Sequence, residues 1–298
     1  MAGTGASGKT PGDLTQTRTT VALVANEEAG SNDAALCAER LRAFGADVVR
    51  FTVDETDDAA ASGADRLVVA GGDGSIGAAA SAAGRAGIPL AVVPAGTAND
   101  FARRLGLPDG ITAACRLAVH GSKLKSMELG WMNDRRPFVN VASAGLPAPA
   151  AERAGGWKDR LGSLAYAAGA VSAGISAQPL TCLVLCDGRE VLAGEAWQVT
   201  VAASGAFGAG ASIEEADPSD GILEVVAIEA GSRLGLVSLA YHLRRGTLTR
   251  HPRAYHVHCD EVEVQVPDCT RFNVDGELVT EGEARFKAVK GAFRLVVG

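Results

Sequence analysis

The chain has 298 residues, enough for two domains with a substantial core. Hydrophobic residues make up 47% and charged residues 21%, the ordinary balance of a soluble globular protein, and aromatics at 5% leave the cores to Ala, Val and Leu. A net charge of -7 argues against a general nucleic-acid binder, which needs a basic surface.

The first motif is a false lead. "GTGASGKT", Gly3 to Thr10, fits the phosphate-loop pattern G-x-x-x-x-G-K-[ST]. Such a loop works when a buried strand delivers the glycines and a helix starts at the Lys-Ser/Thr. Here only Met1 and Ala2 precede Gly3, and Pro11-Gly12-Asp13 follows as a turn. The stretch reads as a disordered Gly/Ser/Thr-rich tail over 1–18 that matches by composition.

From residue 19 apolar runs alternate with helical patterns. "TVALVA" is a strand, and "SNDAALCAERLRAF" a helix with Ala34, Cys37, Leu41 and Phe44 on one stripe and Ser31 or Asn32 as cap. "ADVVRFTV" is a second strand, followed by a short acidic segment around "DETDDAAASG". "RLVVA" is a third, followed by a turn and a helix opening at about Ile76; "PLAVVP" is a fourth, and "ANDFARRLGL" starts another helix. This alternation predicts a parallel sheet with helices on both faces, with ligands beyond the carboxyl ends of its strands.

Two of those ends carry the chemistry. In "RLVVAGGDGSIG" a buried strand runs into Gly71-Gly72-Asp73-Gly74-Ser75 and then a helix, the context that Gly3–Thr10 lacks. Glycines let a phosphate approach the backbone, and free N–H groups at the helix start point at the anion. Asp73 repels a bare phosphate, so it either meets Mg²⁺, orients a hydroxyl, or serves only as a capping residue. On the next strand, "AGTANDFARRLG" offers the Thr97 hydroxyl and the Asn99 amide, and Asp100 is placed to cap or to bond the neighbouring loop.

Beyond about residue 123 the texture becomes antiparallel. "KSMELGWM" and "RPFVNVAS" pair around Asn133-Asp134; "LTCLVLC" and "EAWQVTVAAS" pair around Asp187-Gly188. "LEVVAIEA", "HVHCDEVEVQV", "RFNVDGELV" and "ARFKAV…AFRLVV" continue the meander, with helical insertions near 158–175 and 232–245. The prediction is a sandwich or barrel-like β layer. Leu161 to Cys186 carries no formal charge, but Gln178-Pro179 interrupts it, so it reads as a packed helix followed by a strand, not a membrane span. The six cysteines form no C-x-x-C pair and no apolar leader precedes them, which suits reduced core thiols in a cytoplasmic protein. His256 and His258 share a face of a strand, with no third metal ligand evident. "HLRRGTLTRHPR", 242–253, is a basic cluster suited either to anionic lipid headgroups or to a solvated face.

"VVAGGDGS" followed by "PLAVVPAGTANDFARRLGLP" resembles the catalytic domain of the diacylglycerol kinase family, which includes bacterial lipid kinases and sphingosine kinases. "FVNVASAGL" (138–146), "WKDRLGSLAYAAGAV" (157–171), "ADPSDGILEVV" (216–226) and "FNVDGELV" (272–279) extend the resemblance in order. It implies that Gly71, Gly72, Asp73, Gly74 and Ser75 hold the ATP phosphates and their Mg²⁺, with Thr97 contacting the nucleotide and Asn26 lining its site. It also implies Asp275 as general base toward a lipid hydroxyl, with Glu277 supporting it or taking that role, and Asp220 on a structural Mg²⁺. The chain departs from the family pattern at Asn26-Glu27-Glu28-Ala29-Gly30, where Asn-Pro-x-Ser-Gly is usual. It departs again at Ser75 for Thr, and at Gly77-Ala78 for an Asn-Glu pair. The usual threonine contact falls on Thr52 or Thr56.

The expectation is an α/β chain: a three-layer nucleotide-binding domain over 19–122, to which 284–298 returns, and a β-rich sandwich domain over 123–283. The expected activity is ATP- and Mg²⁺-dependent phosphorylation of diacylglycerol or a related lipid. The expected setting is cytoplasmic with peripheral membrane contact, no nucleic acid, and a homodimer as a compatible assembly. Two rivals stand beside it: an enzyme like the NAD kinases, which share a G-G-D-G loop, and a degenerate relative that binds lipid or nucleotide without turnover.

Overall fold

A computed structural model describes residues 18–25, 31–146, 178–204, 206–207, 211–212 and 219–298, apart from 234, 237, 239–241, 243, 244 and 246. The Gly3–Thr10 stretch, Asn26 to Gly30, the 157–171 segment, residues 216–218, all of the 158–175 and part of the 232–245 insertions, and the side chains of Ser31 and Asn32 lie outside the described residues.

The first half contains β1 (Thr20–Ala25), α1 (Ser31–Ala43), β2 (Asp47–Phe51), α2 (Thr56–Ala61), β3 (Arg66–Gly71), α3 (Asp73–Ala86), β4 (Leu90–Pro94), α4 (Asp100–Arg104) and α5 (Ile111–His120). Its strands lie parallel in the order β4-β3-β1-β2. Alternate residues of each strand feed two cores, as the period of two requires. Ala22, Val24, Leu67, Val69, Leu90 and Val92 pack on α2, α3 and Phe101, whereas Val21, Leu23, Val68, Ala91 and Val93 pack on α1 and α5. The result is the expected three-layer arrangement. Because the chain leaves β1 for β2 on one side and then crosses to β3 on the other, the switch point of this sheet lies between β1 and β3.

Local structure differs from the sequence expectation in three places. The acidic segment after β2 is helical: Val53–Glu55 forms a 3-10 turn and α2 follows, because Thr56, Ala59 and Ala60 bury one side of it. Helix α3 begins at Asp73, not at Ile76. Ser75 starts it, donating both its backbone N–H (3.2 Å) and its hydroxyl (2.8 Å) to the Gly72 carbonyl. Helix α5 has no counterpart in the sequence expectation.

The second half contains β5 (Lys123–Met132), β6 (Arg136–Phe138), β7 (Val141–Gly145), β8 (Leu180–Cys186), β9 (Arg189–Ala202), β10 (Ala206–Phe207), β11 (Ala211–Ser212), β12 (Leu223–Glu229), β13 (Ala254–Cys259), β14 (Glu261–Val274) and β15 (Glu277–Val297). Apart from the small β10-β11 pair, these join the parallel strands in one hydrogen-bonded path, β13-β12-β9-β7-β14-β15-β4-β3-β1-β2. Strand β8 pairs with both β14 and β9, so β9, β7, β14 and β8 close a ring of pairings and the layer folds over on itself. Phe138, Val184, Val201, Val225, Val264, Phe272 and Phe286 fill the space inside. At about 1.5–3 kcal/mol per large buried apolar side chain, this core is substantial.

The 21-residue β15 couples the two halves: it forms a hairpin with β14, runs antiparallel to β5, and lies parallel beside β4 at Leu295. Five cysteines are buried, as reduced core thiols should be, but Cys269 is exposed. It stands in the bulge between Gln265 and Thr270, which carries it out of the β14–β15 ladder.

Candidate active site

At the β1–β3 switch point lies a cleft of about 1330 Å³. Ala25 and Gly71 mark the ends of β1 and β3; Gly72, Gly74, Ser75 and Gly96 form its floor, and Thr52, Arg135, Arg136, Asp275 and Glu277 stand around it.

The glycines are there because backbone meets backbone. A β-carbon on Gly96 would lie 2.4 Å from the Gly72 Cα, so the two glycine loops touch directly. One on Gly71 would lie 2.3 Å from the Ser75 hydroxyl, and one on Gly74 would lie 2.9 Å from Glu277 Oε1. Helix α3 is 14 residues long and its N-cap, Gly72, has no capping side chain, so its N-terminus turns backbone N–H groups and positive potential to the cleft.

Asp73 faces away from that opening. Its Oδ1 accepts the Phe101 N–H (2.9 Å) and the Asn140 side-chain amide (3.1 Å), and its Oδ2 accepts the Asp100 N–H (3.1 Å). Asp73 thus clamps the first turn of α4 to the glycine loop. Asn99, in the left-handed conformation at φ 52°, folds back on its own loop: its Oδ1 accepts from the Gly96 N–H and its amide donates to the Gly96 carbonyl, both at 2.9 Å. Thr97 is exposed and does not line the cleft. Arg103 turns back to Asp100 and the Ala98 carbonyl. Of the two threonines, Thr52 lines the cleft, while Thr56 is buried and donates to the Val53 carbonyl at 2.6 Å.

Asp275 and Gly276 form the two-residue turn of the β14–β15 hairpin, with φ of 48° and 94°, as Asp-Gly favours. The turn is only partly buried, but the Asp275 carboxylate is aimed inward. It accepts the backbone N–H groups of Val139 (2.7 Å), Asn140 (3.0 Å) and Val141 (3.0 Å). Burial pushes its pKa up to about 7 and the nearby Asp73 charge adds to the rise, while the three N–H bonds oppose it. Glu277, the first residue of β15, lies against Gly74 and accepts from Arg136 at 2.9 Å. Arg135 pairs in turn with Glu281 at 2.8 Å.

The residue that sequence reasoning passed over is Asn140. Its amide donates to Asp73, its backbone N–H donates to Asp275, and its Oδ1 accepts from the Ser204 hydroxyl at 2.8 Å. One buried side chain therefore ties the glycine-loop aspartate to the late D-G-E turn. A lone polar residue between Val139 and Val141 was the available signal, because a buried amide must find partners. Asp220 lies outside the cleft: its Oδ1 accepts the Ile222 N–H at 2.9 Å, and the adjoining Gly221 N–H donates to buried Glu128 at 2.5 Å.

The diacylglycerol kinase catalytic domain model matches residues 20–132, and the YegS C-terminal NAD kinase beta sandwich-like domain model matches 140–297, more than half of the chain. The chain belongs to the diacylglycerol kinase catalytic-domain family. A protein named diacylglycerol kinase from Mycobacterium tuberculosis is 28% identical, over 86% of this chain and 87% of its own. A probable YegS-like lipid kinase from Yersinia enterocolitica is 34% identical over 43% of this chain and 46% of its own. The crystal structure of a putative diacylglycerol kinase from Bacillus anthracis shares the fold, with a TM-score of 0.75, 22% identity and coverage of 95% and 98%. Within this lipid kinase family the Gly77 departure has a packing reason. A β-carbon there would lie 2.7 Å from the Pro137 carbonyl oxygen, so α3 sits too close to β6 for a side chain at that position.

Proposed function

We propose that this family member transfers the γ-phosphate of ATP, with Mg²⁺, to a hydroxyl of diacylglycerol or a related lipid in the β1–β3 cleft. The observation that carries the reading is the meeting of two distant segments. The N-terminus of α3 and the Asp275-Gly276-Glu277 turn line one cavity, with Asn140 tying Asp73 to Asp275.

A triphosphate fits this floor, because at Gly71, Gly72, Gly74 and Gly96 any side chain would fill the space or part the loops. The phosphates would lie along the N–H groups of Gly72, Asp73 and Gly74, with Arg135 and Arg136 supplying positive charge from the rim. Asp275, at about pH 7 close to its proton-transfer midpoint, takes the proton of the lipid hydroxyl as that oxygen attacks the γ-phosphorus and the β–γ bridging oxygen leaves with ADP. Glu277 supports it from the next position or takes that role. Mg²⁺ would neutralise phosphate charge, on Glu277 and phosphate oxygens, as a hard cation prefers. Asp73, whose two oxygens already accept three N–H bonds, acts by fixing the loops. At the turn near Gly221, Asp220 together with Glu128 offers oxygen donors suited to a second, structural Mg²⁺.

In this reading residues 19–122 with 284–298 form the nucleotide domain and 123–283 the lipid domain. Among the described residues no helix is long and apolar enough to cross a membrane. Docking would be peripheral, with the exposed Arg245 and Arg250 of the basic segment meeting anionic headgroups. The test is radiolabel transfer from ATP with Mg²⁺ to a panel of lipids in mixed micelles, with NAD as a soluble acceptor. Label in a lipid that is lost in Asp275→Asn and kept on removing residues 1–15 supports the reading. Label in NAD alone, or nucleotide binding without any transfer, overturns it.

A further inference from the structure

We propose that Glu224, His256 and His258 form a binding site for a divalent transition-metal ion of the Zn²⁺ class, on the outer edge of the β-rich half. The sheet register makes the cluster. His256 and His258 are two apart on β13 and so share a face; across the ladder, Glu224 of β12 pairs with His258, and Val226 with His256. That places a carboxylate between two imidazoles. His256 Nε2 lies 3.2 Å from Glu224 Oε2, and His258 Nε2 lies 3.3 Å from Glu224 Oε1. The ligand atoms of all three residues lie within 4.8 Å of one another.

These separations suit the ion. With metal–ligand bonds of about 2.0–2.2 Å, neighbouring ligands of a tetrahedral Zn²⁺ stand about 3.3 Å apart. Two imidazoles and one carboxylate make a three-ligand set with a fourth position for water. The exposure is graded: the Glu224 side chain is 4% exposed, His256 20% and His258 52%. The carboxylate is thus the buried anchor, on the face that Val226 and Ile228 share, and His258 is the entrance from solvent. A carboxylate this buried needs charged or hydrogen-bonding partners, and a cation shared with the two imidazoles supplies them. None of the three lines the β1–β3 cleft, so the site is separate from the phosphoryl-transfer chemistry. Strand β13 ends the path of the sheet and pairs with β12, so the ion would staple this edge strand to its neighbour.

The full-length protein, stripped with a chelator, is titrated with Zn²⁺ by calorimetry and with Co²⁺ by visible absorption, beside His258→Ala and Glu224→Gln. Thermal midpoints are recorded with and without the metal. His258 is half exposed and Glu224→Gln keeps the side-chain shape, and circular dichroism verifies that both variants fold. The expected result is one ion per chain, a four-coordinate Co²⁺ spectrum, affinity weakened at least about tenfold in each variant, and a midpoint rise in the parent only. No saturable binding at millimolar Zn²⁺ overturns the proposal. So does binding unchanged in both variants, which thiol alkylation would then assign to the buried cysteines or leave to the cleft carboxylates.

Discussion

Asp73→Asn separates a clamp from a ligand. All three partners of the Asp73 carboxylate are donors: the N–H groups of Asp100 and Phe101 and the Asn140 amide. Asparagine offers one acceptor and one donor. Its best orientation keeps Oδ1 on Phe101 and Asn140 and turns its NH₂ toward the Asp100 N–H, donor against donor at 3.1 Å. Leaving that buried donor unsatisfied costs about 1–3 kcal/mol, and losing a negative charge at the start of α4 costs about 0.3–1 kcal/mol more. A loss of roughly 2–3 kcal/mol lowers the thermal midpoint by about 3–5 °C at this chain size. The ATP KM should rise as well, because the Gly71–Ser75 and Ala95–Asn99 loops are no longer held together. Scanning calorimetry beside ATP-saturation kinetics measures both. An unchanged midpoint with activity abolished would refute the reasoning and put Asp73 directly on the nucleotide or its Mg²⁺.

Four further outcomes are expected. Gly96→Ala should weaken ATP binding at least about tenfold and cost about 1–3 kcal/mol of stability, because its β-carbon meets the Gly72 backbone at 2.4 Å; wild-type ATP affinity in a dye-displacement assay would contradict the contact. With the Asp275 pKa at about 7, against 3.8 for an ordinary aspartate, kcat/KM should rise with pH and level off above about 7, and Asp275→Asn should lower kcat by about 10²–10⁴. The same group makes the folded state bind a proton that the unfolded chain releases near 3.8. Its contribution to stability therefore falls as pH rises from about 4 to 7, and denaturant titrations across that range should show a flatter profile in Asp275→Asn. Arg136→Ala should change stability by under about 1 kcal/mol, since its pair with Glu277 is solvent-exposed, yet raise the ATP KM; an unchanged KM would remove Arg136 from the phosphate site.

The four strands of the first half and helices α1, α3 and α4 were legible because their apolar periods are strong and their turns are marked by glycine, whereas α2 and α5 were not read from the sequence. "VVAGGDGS" announces a strand, a glycine loop and a helix without any neighbour's help. The Asp275-Gly276 hairpin was legible for the same local reason. What the local pattern did not reveal was where the polar atoms point. Asp73 and Asn99 sit in a glycine-rich loop pair, and from spacing alone both could face a ligand. Each instead spends its hydrogen bonds on the loops themselves, because those loops approach within backbone contact at Gly72 and Gly96. Asn140 was invisible as a connector because its partners lie 67 and 135 residues away.

The cluster on β13 makes the division plain. The spacing of His256 and His258 already put the two imidazoles on one side of a strand, since alternation along a strand is a local property of the backbone. Glu224 joins them only through the antiparallel register of β12 and β13, which is set by packing across a sequence separation of 32. The sequence by itself determined the order of the elements, the glycine loop and the D-G-E hairpin, because these follow from side-chain period and turn stereochemistry within a few residues. Only the tertiary structure decided that the glycine loop and that hairpin share one cleft, and that β15 runs through both halves, because strand register and loop contact depend on residues far apart in the chain.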